Sequence, residues 1–223
     1  MVPMLAPLRL LTLSFAASMD NDQPKLVVVF GRPGSGKTTV ANKAIEILES
    51  STTAAKIVGL DLDVCIPQWM KDNFSKEIYP TLADRLSFAK SACDYVSAQL
   101  CRGEEVTRPC AIVSFSFVNT DLRDVFRSRF PQAEWVLINT SEHEARRRIE
   151  KREGHFYVGK VSDQRGVDSK PVLPVHDEQE GNNSDWEFAE VEFPHTILDG
   201  KTSIEENAET IVDMCKAMGL GSS

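Results

Sequence analysis

Residues 26–39 read LVVVFGRPGSGKTT. The first five are apolar and mostly β-branched, with no polar alternation, the pattern of a short strand covered on both faces. Gly31, Gly36, Lys37 and Thr38 then satisfy the spacing G-x-x-x-x-G-K-[ST]. Glycines let successive backbone N–H groups curl around phosphate oxygens with no Cβ in the way, and the following helix offers its positive end. At that spacing the lysine reaches the β- and γ-phosphates of a nucleotide, and the Thr hydroxyl ligates Mg²⁺. GKTTVANKAIEILES (36–50) supplies the helix, with Val40, Ala44, Ile47 and Leu48 on one side. A buried strand before the loop and an amphipathic helix after it separate a phosphate seat from an ordinary glycine-rich turn.

Outward from this stretch the chain alternates strands and helices. KIVGLDLD (56–63), CAIVSFSF (110–117), WVLIN (135–139) and HTILD (195–199) read as further strands. Between them, Thr81 and Asp84 form a capping box for a helix with Leu82, Leu86, Ala89, Cys93, Val96 and Leu100 at helical spacing, which Gly103 can end. A helix over about 121–129 stops before Pro131. Ser141 and Glu144 cap the basic helix EHEARRRIEKRE, and Ser203 and Glu206 cap IEENAETIVDMCKAM, which Gly219 ends. Residues 166–192 are rich in Gly, Pro, Asn, Asp and Glu without periodicity and read as a long excursion. Alternation of this kind implies an α/β fold with a parallel sheet covered on both faces.

Composition narrows the function. A formal net charge of −8 argues against a general nucleic-acid binder, so an anion site has to be a local cluster of Lys and Arg. Five scattered cysteines without a CxxC pair read as reduced thiols, which speaks against zinc and for an intracellular, cytoplasmic protein. Residues 1–18 lack acid groups and end in small residues. They read as a disordered extension, with an organellar transit peptide as the alternative, and are too short to cross a membrane. Residues 1–24 are thus set apart from one domain over 25–223. The only Asn-Lys pair, Asn42-Lys43, lies inside the first helix, so a GTPase base-reading motif is missing; no acidic residue follows AIVSF (111–115), which weakens an ATPase motor.

Acid groups instead end the second strand. Period two puts Asp61 and Asp63 on the same side of an extended chain, at the carboxyl end where ligands bind in parallel sheets. One could hold Mg²⁺ through water while the other accepts a proton from an acceptor hydroxyl. Arg148 and Arg152, four residues apart, share a helix face and could neutralise a transferring phosphoryl group. Taken alone, such a charge run is a solvated face.

With these residues in hand, the chain resembles the gluconokinase and shikimate-kinase branch of small P-loop kinases. The resemblance spans roughly residues 25–165 and returns weakly over 195–218. It is carried by REGHF (152–156) with Gln164 beyond, by LDLDVCIP (60–67), by ADR (83–85), and by SFVNTDLRDVF (116–126). It implies a P-loop NTPase three-layer sandwich of five parallel strands with a mobile lid near 150–165. It also implies ATP as donor, Mg²⁺ as metal and a small hydroxylated metabolite as acceptor. Gly31, Pro33, Gly34, Ser35, Gly36, Lys37, Thr38 and Thr39 would seat the nucleotide, with Arg148 and Arg152 on its phosphates. Thr38 and Asp61 would serve the metal, and Lys37, Asp63 and Arg152 catalysis. Asp63, Arg85, Ser116 and Arg123 would meet the acceptor.

The chain departs from the family at Asn119 and Thr120, where gluconokinases carry two lysines, and through added aromatic residues in SFSFV, Trp69 and Phe74. Gluconate itself is therefore a poor expectation. A nucleoside, nucleotide or nucleic-acid-end kinase is the alternative, and a non-catalytic ATP-binding regulator the next. His155, Trp69, Trp135 and Trp186 read as packing residues. A membrane or nucleic-acid partner is not expected, and a homodimer is admitted but not required.

Overall fold

The computed structural model of the chain describes residues 25–51, 57–101, 110–152, 157 and 188–219. Residues 1–18, His155, Gln164, Trp186 and most of the 150–165 and 166–192 segments lie outside them.

Five strands form one sheet: β1 (Lys25–Phe30), β2 (Ile57–Asp61), β3 (Cys110–Phe115), β4 (Glu134–Asn139) and β5 (Thr196–Asp199). All pairings are parallel and the order is β2-β3-β1-β4-β5. β1 is central because both its faces are apolar. Leu26, Val28 and Phe30 enter one core layer, and Val27 and Val29 the other. Each such burial stabilises by about 1.5–3 kcal/mol.

The second layer is closed by α1 (Lys37–Ser51) and α6 (Ile204–Ala217) through Val40, Ala44, Leu48, Ile211 and Cys215. The first is closed by α3 (Leu82–Leu100) and α4 (Thr120–Arg129), with the short α2 (Gln68–Phe74) beside them. The helix α5 (Glu142–Glu150) follows β4. Three capping sites stand where the sequence puts them: Thr81 with Asp84 is a full capping box, and Ser141 and Ser203 accept from the N–H groups of Glu144 and Glu206.

Register brings the site together. Phe30 lies opposite Phe115, and Asp61 opposite Ser114, so the carboxyl ends of β1, β2 and β3 finish level. The order places β1 between β3 and β4, so chains leave the sheet in opposite directions there, the crevice where ligands bind in open α/β sheets.

Four expectations need correction. β2 ends at Asp61, and Leu62–Cys65 form a 3-10 turn. Asp61 caps that turn by accepting the Asp63 N–H at 3.0 Å, so Asp63 is carried by a turn and not by alternation on a strand. The buried stripe of α3 keeps Ala89, Cys93, Val96 and Leu100 but differs at its start, where Arg85 and Phe88 face inward while Leu82 is 53% exposed. The basic helix ends at Glu150, so Arg152 follows it and no longer shares a face with Arg148. Finally, the end of the 166–192 excursion is packed, with Ala189 N donating to Val118 O at 2.9 Å and Phe188 stacked near Phe30.

Candidate active site

The loop between β1 and α1 has the backbone its glycines allow. Gly34 and Gly36 have φ of 78° and 94°, left-handed values that disfavour a side chain. At Gly34 a Cβ would also collide with the Ala145 carbonyl, so α5 packs directly on the loop.

On the β4–β5 flank the loop is braced. The Ser35 carbonyl accepts from Thr140 Oγ1 at 3.3 Å and from Arg148 Nη1 at 3.1 Å. Arg148 also donates to Gly200 O at 3.0 Å and pairs with Glu144 at 3.0 Å. Arg148 ties the loop to α5 and to the end of β5, and it is not among the residues that line the cleft described next. Thr39 is exposed on α1 and does not line the cleft either.

On the opposite flank the loop opens into a cleft. Pro33, Gly34, Lys37, Thr38 and Asp63 form its floor; Arg152 enters from the end of α5, and Arg85 and Ser116 from α3 and the end of β3. Desolvation holds the Lys37 ammonium below the ordinary lysine pKa; Asp63 and Asp61 pull it back up, and Arg152 lowers it again. A polyphosphate beside it would favour the charged form.

Thr38 Oγ1 donates to Asp61 Oδ2 at 3.1 Å. A hydroxyl and a carboxylate are hard oxygen donors, and together with phosphate oxygens they suit Mg²⁺, which takes few protein ligands. Among the described residues no group of three or more His, Cys, Asp or Glu could hold a metal alone. The Ser35 hydroxyl is buried with no hydrogen-bond partner, on the side of Gly31.

Arg123, expected at the acceptor, is elsewhere. It is 1% exposed and donates to four backbone carbonyls: Phe117 and Val118 at 2.8 and 3.2 Å, and Ala189 and Glu190 at 2.9 and 2.7 Å. Its guanidinium lies 4.7 Å from the Phe188 ring centroid. Desolvation pulls its pKa down to about 10, so it stays charged at neutral pH. Phe117 has φ of 40°, costly for a bulky residue, and the bond to its carbonyl helps hold that turn. Arg123 therefore pins residues 188–190 behind α4.

The remaining walls were only partly foreseen. Phe74 and, from the middle of SFSFV, Phe115 and Ser116 line the cleft, but Trp69 does not and is 48% exposed. Ile66, Met70, Phe88, Leu122, Ile149 and Tyr157 complete it. The signal for Phe88 was available: it lies three residues after Arg85, and both face inward at the start of α3. Asn119, at the N-cap position of α4 with no side-chain capping bond, and exposed Thr120 do not line the cleft.

Several known proteins share this architecture. An unliganded sugar kinase from Janibacter sp. HTCC2649 superposes with a TM-score of 0.61 at 21% identity, covering 88% of this chain and 98% of that one. An APS kinase from Mycobacterium tuberculosis, bound to AMPPNP and APS, gives 0.56 at 17%, over 87% and 98% of the two chains. A gluconokinase from Sinorhizobium meliloti 1021 gives 0.55 at 19%, over 88% and 98%. At these identities the likeness shows the fold, that of the small P-loop kinases. No curated protein sequence matches the chain. The family described as AAA domain matches residues 26–166, from β1 past the end of α5 and over more than half the chain, and the protein belongs to that family.

Proposed function

We propose that the protein transfers the γ-phosphoryl group of ATP to a hydroxyl of a small molecule. The observation that carries this reading is one cleft in which Lys37, Thr38, Asp63, Arg85 and Arg152 converge, with space beyond the phosphate seat for a second reactant. A pure nucleotide-binding loop does not need that space.

In this reading the loop and Lys37 hold the β- and γ-phosphates, and Arg152 neutralises charge on the moving group. Thr38 and Asp61 would hold a Mg²⁺ ion, which would supply further charge neutralisation. Asp63 orients the acceptor hydroxyl and takes its proton as the new O–P bond forms. The bond to the β-phosphate oxygen breaks, and ADP leaves. The rate gain comes from positioning and fixed electrostatics. The sugar kinase, gluconokinase and APS kinase of the same fold support a kinase and leave its acceptor open.

A cytoplasmic location fits the free state of all five cysteines. Among the described residues no helix is long and apolar enough to cross a membrane.

Acceptor-dependent ADP release, measured over sugar acids, polyols, hydroxy acids and nucleosides, tests the reading. Lys37→Ala is expected to lower the rate by on the order of 10²–10³-fold with far-UV circular dichroism unchanged. Substantial transfer by the folded variant would sink the proposal, and ADP release independent of any acceptor would make the protein a simple ATPase.

A further inference from the structure

The open flank of the phosphate loop has an apolar character that phosphate chemistry does not require. Beyond Asp63 the cleft is walled by Met70, Phe74, Phe88, Phe115, Leu122 and Tyr157. Phe88 and Phe115 lie with ring centroids 5.0 Å apart, and Phe74 and Tyr157 6.0 Å apart. Such a wall is suited to a flat ring, because stacking and edge contacts add to area burial.

Polar groups on this flank are few and their charge is balanced. Arg85 is 7% exposed, and its Nε and Nη2 meet Asp121 Oδ2 at 2.8 and 2.7 Å. Its Nη1 donates to the Pro80 carbonyl at 3.1 Å. These bonds engage three of the five N–H groups a guanidinium carries, which leaves two for a ligand without an uncompensated charge behind them. Lys37 and Arg152 are the other described cations of the cleft, and both stand at the phosphate end. Among the described residues, a carboxylate or phosphate on the acceptor would thus meet no counter-ion of its own in this aromatic enclosure, a costly desolvation. A neutral ring bearing hydrogen-bonding atoms could use the spare N–H groups and Ser116.

The ring in question belongs to the acceptor and not to the donor. Thr38 meets Asp61 on the β2 side of the loop, which fixes that side as the metal and γ-phosphate end. The base of the donor lies beyond the α-phosphate, away from it.

We propose that the acceptor is a neutral nucleoside-class molecule, its heterocycle held between the aromatic walls and a sugar hydroxyl directed at Asp63. The proposal rests on the phosphotransferase reading and deepens it.

The test uses the full chain with ATP and Mg²⁺, and adenosine, guanosine, cytidine, uridine and thymidine against gluconate, shikimate, glycerol and ribose, with phosphorylated product resolved by mass. Expected is Lys37-dependent phosphorylation of at least one nucleoside, with kcat/KM at least tenfold above gluconate, shikimate, glycerol and ribose. Phe74→Leu, which keeps apolar bulk but removes the ring, should raise the nucleoside KM by about tenfold and leave the KM for ATP unmoved. A higher kcat/KM for gluconate, shikimate or a polyol would overturn the nucleoside assignment and leave the kinase reading standing. An unmoved nucleoside KM in Phe74→Leu would overturn the stacking geometry with it. ATP binding without transfer to any of the nine acceptors would overturn this inference and count against the kinase reading together.

Discussion

The two flanks of the phosphate loop are built on opposite plans. On the β4–β5 side, Thr140 and Arg148 both bond the Ser35 carbonyl, and Arg148 reaches on to Gly200. On the β2–β3 side the loop faces open space, two aspartates, a charge-matched arginine and aromatic walls. In the proposed reading, one flank fixes the seat of the donor, which needs a single geometry, and the other selects an acceptor, which needs a shaped and desolvated pocket. Arginine is used for both tasks, and the partner decides which: backbone carbonyls make Arg148 and Arg123 into ties, while a carboxylate leaves Arg85 with donors facing the cleft.

The sharpest way to separate the flanks is Asp63→Asn. It should lower kcat by at least about 10²-fold while the KM for ATP stays unchanged, because the amide keeps the shape but cannot take the proton. A parallel loss of nucleotide affinity would mean that Asp63 belongs to the donor seat. Next in size, Arg123→Met should cost about 3 kcal/mol in the urea midpoint, since it strips four carbonyls of a charged donor. Activity per folded molecule should survive, and a selective rise in acceptor KM would return Arg123 to the acceptor site. The smallest effect is expected for Arg148→Met. Its guanidinium is partly solvated, so loosening the loop should cost about 1 kcal/mol, seen as a roughly fivefold rise in the KM for ATP with kcat held. A collapse of kcat instead would mean that Arg148 swings onto the phosphates during turnover.

Much of the donor flank was legible in the sequence because its determinants are local. The strand, the glycine spacing, Lys37 and Thr38 lie within one short stretch, and each requires only the backbone around it. The caps at Thr81, Ser141 and Ser203 were legible for the same reason, since a cap is a bond across three residues. The acceptor flank was less so. The helix α2 is too short for its periodicity to stand out, and its start after Pro67 has no side-chain cap. Asp63 looked like the next alternating position of β2 because LDLD is compatible with both a strand and the turn that Asp61 caps. On α3 the apolar residues allowed two overlapping stripes, and only packing against β3 and the partner Asp121 turned Arg85 and Phe88 inward.

What the sequence by itself determined is the α/β class and a phosphate seat on the edge of a buried strand. Both follow from short-range rules of periodicity, backbone freedom and capping. What only the tertiary structure decided is the assignment of the arginines and the character of the acceptor wall. Arg123 and Arg85 sit in equally plausible motifs, but the carbonyls of Ala189 and Glu190 are 66 and 67 residues from Arg123, and Asp121 is 36 from Arg85. A buried guanidinium goes where its donors are satisfied, and the chain brings those acceptors near only after the sheet has formed.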